Sequence, residues 1–202
     1  MTVTEILGFI TGALCVWLAA RENIWNWPIG IANNIFYFVV FWRSELYEDA
    51  CLQIVYLLIS IYGWYKWAHR DAQKHELAVG RVTKRHVLTL AVVTTISAVM
   101  LHAILSRYTD STVPWGDGIT TAMSLTAQYM LSRKLLENWM LWIAADVLYI
   151  GLYAYKQLYL TSFLYAIFIA MCVSGYMHWR KSVREEVVPL LGPKVPTAAV
   201  QP

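Results

Sequence analysis

Apolar runs close to 20 residues long recur along the whole chain, separated by short polar clusters. That is the length an α-helix needs to cross ~30 Å of hydrocarbon. The pattern predicts seven spanning helices near residues 4–20, 24–43, 50–67, 87–105, 117–132, 136–155 and 159–179. Trp and Tyr gather near their ends, among them Trp25, Trp42, Trp64, Trp115 and Tyr159, as suits rings that prefer the headgroup boundary. The first run is preceded only by Glu5 and lacks a basic flank and a cleavage site, so it is read as a retained span. Residues 69–86 read as a polar linker. From about Glu185 the Pro, Gly and small residues read as a disordered tail.

A shift of 112 residues places Asn26-Trp27 on Asn138-Trp139, and the register holds without a gap for about forty positions. Ile31-Ala32 meets Ile143-Ala144, Tyr37 meets Tyr149, Leu46-Tyr47 meets Leu158-Tyr159, Gly63 meets Gly175 and Trp67 meets Trp179. The chain is thus expected to contain a duplicated three-helix unit. Joined directly, two units with an odd number of spans would face opposite ways; a single intervening helix makes them parallel. The expected fold is all-α and integral to the membrane, with a first repeat over 1–67, a linker and linker helix over 68–110, a second repeat over 111–182 and a tail over 183–202. Parallel repeats of this kind are a transporter design, with binding near the midplane where the repeats meet.

Composition agrees, at 58% apolar against 14% charged residues. A mean hydropathy of +0.47 leaves no room for a separate soluble domain. Of the 16 Lys and Arg, only Arg43, Arg107 and Lys156 fall on one side of the seven spans. Because Lys and Arg are retained in the cytoplasm, the N-terminus is expected outside and the C-terminus inside. The net charge of +3 is accounted for by topology and gives no reason to expect nucleic acid as a partner. Cys15, Cys51 and Cys172 lie within spans without paired spacing and read as small apolar filler.

Ionisable groups inside spans cost at least ~2.5 kcal/mol at mid-helix, so Asp146 needs a reason. It shares a helical face with Trp142 and Tyr149 at i, i+4 and i+7, with Trp139 one turn earlier. A carboxylate among aromatic rings suits an organic cation; an Asp hydrogen-bonded to a neighbouring helix is the plainer alternative. The equivalent position in the first repeat is Asn34, beside Asn33. Gln53, Tyr56 and Ser60 share one face of helix 3, and Thr121, Ser124 and Gln128 one face of helix 5. Thr121 and Ser124 read as packing, and His102 as a satisfied or interface residue. Asp117, after Pro114 and Gly116, reads as an N-cap. No nucleophile–base pair, metal spacing or cofactor motif stands out, so neither an enzyme nor a cofactor is expected.

The run Glu137-Asn138-Trp139-Met140-Leu141-Trp142, with its polar residue at 146, Leu158-Tyr159 downstream, and Gln53 followed by Ile61-Tyr62-Gly63-Trp64-Tyr65-Lys66-Trp67, resembles the PnuC family of bacterial vitamin transporters. The resemblance covers residues 4–182. It implies a SWEET-like 3+1+3 fold with its own helix order, a homotrimer in the bacterial inner membrane, and facilitated diffusion of nicotinamide riboside, with thiamine the substrate of relatives. It also implies a cytoplasmic kinase that traps the vitamin by phosphorylation. Trp139, Trp142 and position 146 match the family's helix 6 motif, Asn33 its helix 2 asparagine and Gln53 its helix 3 glutamine. Asp146 departs from the asparagine that nicotinamide riboside transporters tend to carry. Both vitamins are aromatic cations, so the charge suits either, and the segment 109–114 resembles the thiamine branch. A ligand-binding membrane sensor and a sugar carrier remain as alternatives, the latter disfavoured because a neutral sugar gains little from Asp146.

Overall fold

A computed structural model describes residues 3–69, 77–109 and 111–190. The expected tail therefore lies outside the described residues beyond 190, and the linker lies outside them over 70–76. Among the described residues there are seven helices: α1 (Val3–Ala20), α2 (Asn26–Arg43), α3 (Tyr47–Ala68), α4 (Lys84–Tyr108), α5 (Pro114–Ser132), α6 (Asn138–Tyr155) and α7 (Tyr159–Leu190). At 1.5 Å per residue the 18 residues of α1, α2 or α6 reach ~27 Å, about the hydrocarbon thickness.

Helix α7 runs to Leu190 and so extends into the region whose composition suggested a disordered tail. The physical reason is local. No glycine or proline interrupts the chain between Tyr176 and Val188, and the Ser182 hydroxyl holds this stretch to Glu22 Oε1 at 2.6 Å.

The helices pack as a closed ring in the order α1, α2, α3, α5, α6, α7, with α4 outside it against α5 alone. In this ring α3 meets α5 as α7 meets α1, the relation expected of two like units about a pseudo-two-fold axis. Their direction follows from the ends that meet. Trp27 at the start of α2 lies 5.4 Å from Trp67 at the end of α3, Trp139 at the start of α6 lies 5.4 Å from Trp179 in α7, and Trp67 lies 6.0 Å from Trp179. Both units therefore run toward one face, called here the tail face. Helix α4 starts there too: Gly80 exchanges backbone hydrogen bonds with Lys134 and Leu136, and Val82 N–H donates to Glu137 Oε2 at 2.9 Å.

The turns repeat with the helices. Glu22 and Lys134, at φ 54° and 50°, end α1 and α5; Glu45 and Gln157, at 62° and 60°, end α2 and α6. Each turn carries a hydrogen bond back five residues, from Asn23 to Leu18, Leu135 to Met130, Leu46 to Phe41 and Leu158 to Tyr153. This is the left-handed helix stop usually made with glycine. Four non-glycine residues accept that conformation in register with the duplication, so the repeat is one of backbone geometry as well as sequence.

On length and hydropathy alone, only α4 and α7 qualify as spans among the described residues. That ordering follows position. Helix α4, outside the ring, has one neighbour and exposes Val87, Leu88, Val92, Ile96 and Met100, whereas ring helices such as α2, α3 and α5 also give polar residues to the interior.

Candidate functional site

The ring encloses a cavity of about 280 Å³, lined by all six of its helices and not by α4. This is just below the roughly 300–1,000 Å³ of typical small-molecule sites. Of the residues singled out in the sequence, Trp139, Trp142, Asp146, Tyr149, Tyr56, Ser60, Ser124 and Gln128 line it.

The α6 wall is held rigidly. Trp139 is 2% exposed, and the missing side chain of Gly175 lets α7 lie against its indole, where a Cβ would come within 2.7 Å of the ring. Trp27 sits against Gly63 in the same way in the first unit. Asp146 is 4% exposed, and its Oδ2 meets the Cys172 thiol at 3.8 Å. Among the described residues the two ion pairs, Lys134–Glu22 and Lys156–Asp117, do not involve it. The carboxylate thus faces the cavity without a cationic partner. Tyr149 contacts Ser124 Oγ at 3.4 Å through its hydroxyl and lies 4.7 Å from Tyr165, another lining residue.

The α2 wall carries the same frame with different chemistry. Asn34, the counterpart of Asp146, donates from Nδ2 to Ser60 Oγ at 3.3 Å, and Ser60 is the counterpart of Cys172. An amide–hydroxyl pair in one unit thus stands where the other has a carboxylate–thiol pair. Gly30 stands where the second unit has Trp142, and both line the cavity. One wall is neutral and open; the other is anionic and aromatic.

Four expectations are corrected by the structure: Asn33, Asn34 and Gln53 are not among the residues that line this cavity, and Asp117 does not cap α5. Asn33 lies in an outer groove with Leu7, Trp25 and Phe36, because adjacent residues on a helix point about 100° apart and Asn34 takes the inward direction. Gln53 is not among the lining residues, which on α3 are Tyr56 and Ser60, one and two turns further along. Asp117 is not an N-cap: α5 begins at Pro114, whose fixed φ starts the helix with Val113 as the capping position. Asp117 instead accepts from Ser111 Oγ at 2.6 Å and pairs with Lys156 at 3.1 Å. Ser124, read as packing, lines the cavity, whereas Thr121 does not. His102 is the expected interface residue, stacked on Trp115 at 3.8 Å between α4 and α5. Trp27, Cys172 and Tyr165 went unnoticed as lining residues; carrying Trp139 and Ser60 across the repeat points to the first two.

The model of the nicotinamide mononucleotide transporter family matches residues 2–181. The chain is 26% identical over 206 residues to the nicotinamide riboside transporter PnuC of Escherichia coli strain K12, covering 90% of this chain and 86% of that one. It is 30% identical over 180 residues to the PnuC of Haemophilus influenzae, covering 87% and 78%. To the riboflavin/roseoflavin transporter RibM of Streptomyces davaonensis it is 26% identical over 197 residues, covering 93% and 89%. The crystal structure of the vitamin B3 transporter PnuC superposes with a TM-score of 0.68 at 25% identity, over 88% of this chain and 80% of that one. By its sequence over nearly its whole length, and by its helical fold, this chain is a membrane protein that belongs to the nicotinamide mononucleotide transporter family, the family of the PnuC proteins.

Proposed function

We propose that the chain carries nicotinamide riboside across the bacterial inner membrane by facilitated diffusion, binding it in the ring cavity. The observation that carries this is the Asp146 carboxylate, buried among aromatic side chains without a cationic partner among the described residues. A pyridinium ring gains there from the negative charge and from the faces of Trp and Tyr together. Relatives bearing the name nicotinamide riboside transporter support the choice of vitamin. In this reading Trp139, Trp142, Asp146 and Tyr149 hold the cation, Tyr56, Ser124 and Gln128 meet the polar sugar, and Asn34 acts through Ser60. The units 1–67 and 111–182 move against each other, with 68–110 as their connector. The tail face is cytoplasmic, the carrier is a homotrimer, and a cytoplasmic kinase traps the product.

Thiamine, also an aromatic cation, is the second reading, because Asp146 stands where nicotinamide riboside transporters tend to carry asparagine and segment 109–114 resembles the thiamine branch. Purified protein in proteoliposomes, tested with labelled nicotinamide riboside, thiamine and riboflavin, separates them. Saturable nicotinamide riboside flux that thiamine barely inhibits is expected. Binding without flux would make the chain a sensor, and saturable flux of thiamine alone would reassign the substrate.

A further inference from the structure

Beyond the tail-face end of the cavity, groups that the vitamin site does not use join the two units. Trp27 and Trp139 line the cavity, and beyond them Trp67 and Trp179 meet from the two units. The Lys134 ammonium lies 4.7 Å from the centre of the Trp67 ring and 3.1 Å from Glu22 Oε2. The other Glu22 oxygen accepts from Ser182 Oγ at 2.6 Å. Glu22 ends α1 and Lys134 ends α5, 112 positions apart, so the pair joins equivalent turns of the two units.

Equivalent positions beside a pseudo-two-fold axis face one another, and identical charges there would repel. Opposite charges turn this meeting point into an attraction. The side chains are only 8% and 20% exposed, so the pair is weakly screened, and separating it strands a buried ammonium. The other ion pair among the described residues, Lys156–Asp117, lies within the second unit and does not join the two.

We propose that Glu22, Lys134 and Ser182 form a latch between the units that closes the tail-face mouth of the cavity and breaks each time a molecule passes through that mouth. This rests on the cavity being the transport pathway. Passage past Trp27 and Trp139 requires Trp67 and Trp179 to part; Lys134 lies against the Trp67 ring, Ser182 lies one turn beyond Trp179 on α7, and Glu22 ties the two together.

Cys15 and Cys172 line the cavity and serve as reporters once Cys51→Ser removes the exposed thiol. A membrane-impermeant maleimide is applied at the tail face of oriented vesicles. Glu22→Gln and Glu22→Lys are expected to label several-fold faster than the parent, and Glu22→Lys with Lys134→Glu to return to the parental rate. Unchanged labelling in the single variants, or a charge-swapped double variant as fast as Glu22→Lys, overturns the latch. A second arm uses Glu22→Cys with Lys134→Cys in a background whose native cysteines are serine, joined by a short cleavable bifunctional thiol reagent. Cross-linking is expected to abolish nicotinamide riboside flux until the linker is cleaved, and full flux through cross-linked protein overturns the proposal. Failure of the carrier reading shows separately, as absence of flux before cross-linking, and the labelling result then decides the latch alone.

Discussion

Asp146→Asn removes one charge while keeping the shape of the side chain, so it isolates the electrostatic part of recognition. In the structure the carboxylate is buried beside the Cys172 thiol and has no cation next to it among the described residues. A ligand cation ~4 Å away would gain ~4 kcal/mol at an effective dielectric of about 20. Both partners lose water on contact, so we take the low end of the ~1.5–7 kcal/mol found for close charge pairs across interfaces, about 1.5–3 kcal/mol. At 1.4 kcal/mol per factor of ten, Asp146→Asn should weaken cation binding roughly 10- to 150-fold. An uncharged ligand of the same shape should lose nothing. The assay is isothermal titration of the purified protein with nicotinamide riboside and with its reduced, uncharged form. The wild type should discriminate between them and the variant should not. If Asp146→Asn weakens both ligands alike, or neither, the carboxylate does not read charge and the reasoning fails.

Gly175→Ala sets a Cβ 2.7 Å from the Trp139 ring; overpacking of this kind costs ~1–3 kcal/mol, so a lower melting temperature in detergent and weaker binding are both expected. Gly151→Ala meets nothing within 4 Å and gains about 1 kcal/mol of helix propensity, so its melting temperature should hold or rise; a clear fall would show a hidden contact. Trp142→Ala should weaken binding roughly 5- to 30-fold, the ~1–2 kcal/mol of a desolvated cation–π contact, with partial rescue by Trp142→Phe in the same titration. Asp117→Asn breaks a pair whose side chains are 25–27% exposed, and a thermal double-mutant cycle with Lys156→Gln should give less than ~1 kcal/mol of coupling.

The spans were legible because hydrocarbon imposes a length, and the duplication because Asn26-Trp27, Gly63 and Trp67 repeat in register. The α6 stripe was legible because a carboxylate at mid-span has few explanations. Side-chain direction in α2 was not: a pair of adjacent amides gives no sign of which one faces inward, and Asn34 rather than Asn33 turns toward Ser60. The helix stops at Glu22, Glu45, Lys134 and Gln157 were hidden because charged or polar residues hold a conformation that glycine normally signals. Helical spacing put Gln53, Tyr56 and Ser60 on one face of α3, but spacing does not say how far along the helix the cavity reaches, and only Tyr56 and Ser60 line it.

The positions where the two units differ show what the duplication is used for. At 30 and 142, 34 and 146, and 60 and 172 the backbone frame is shared while the side chains diverge, and each divergence places bulk, charge or polarisable sulfur on the second unit. A symmetric cavity would give a cation two equal ends to bind; under the proposed function this one would orient it toward α6. At 22 and 134 the divergence serves another purpose, since opposite charges there hold two equivalent turns together. An ancestral unit with one residue type at that position would have set like charges against each other at the mouth. Under the two proposals, loss of identity between the repeats at these pairs would favour both an oriented ligand and a closed end, and neither can be obtained from the pseudo-symmetry alone.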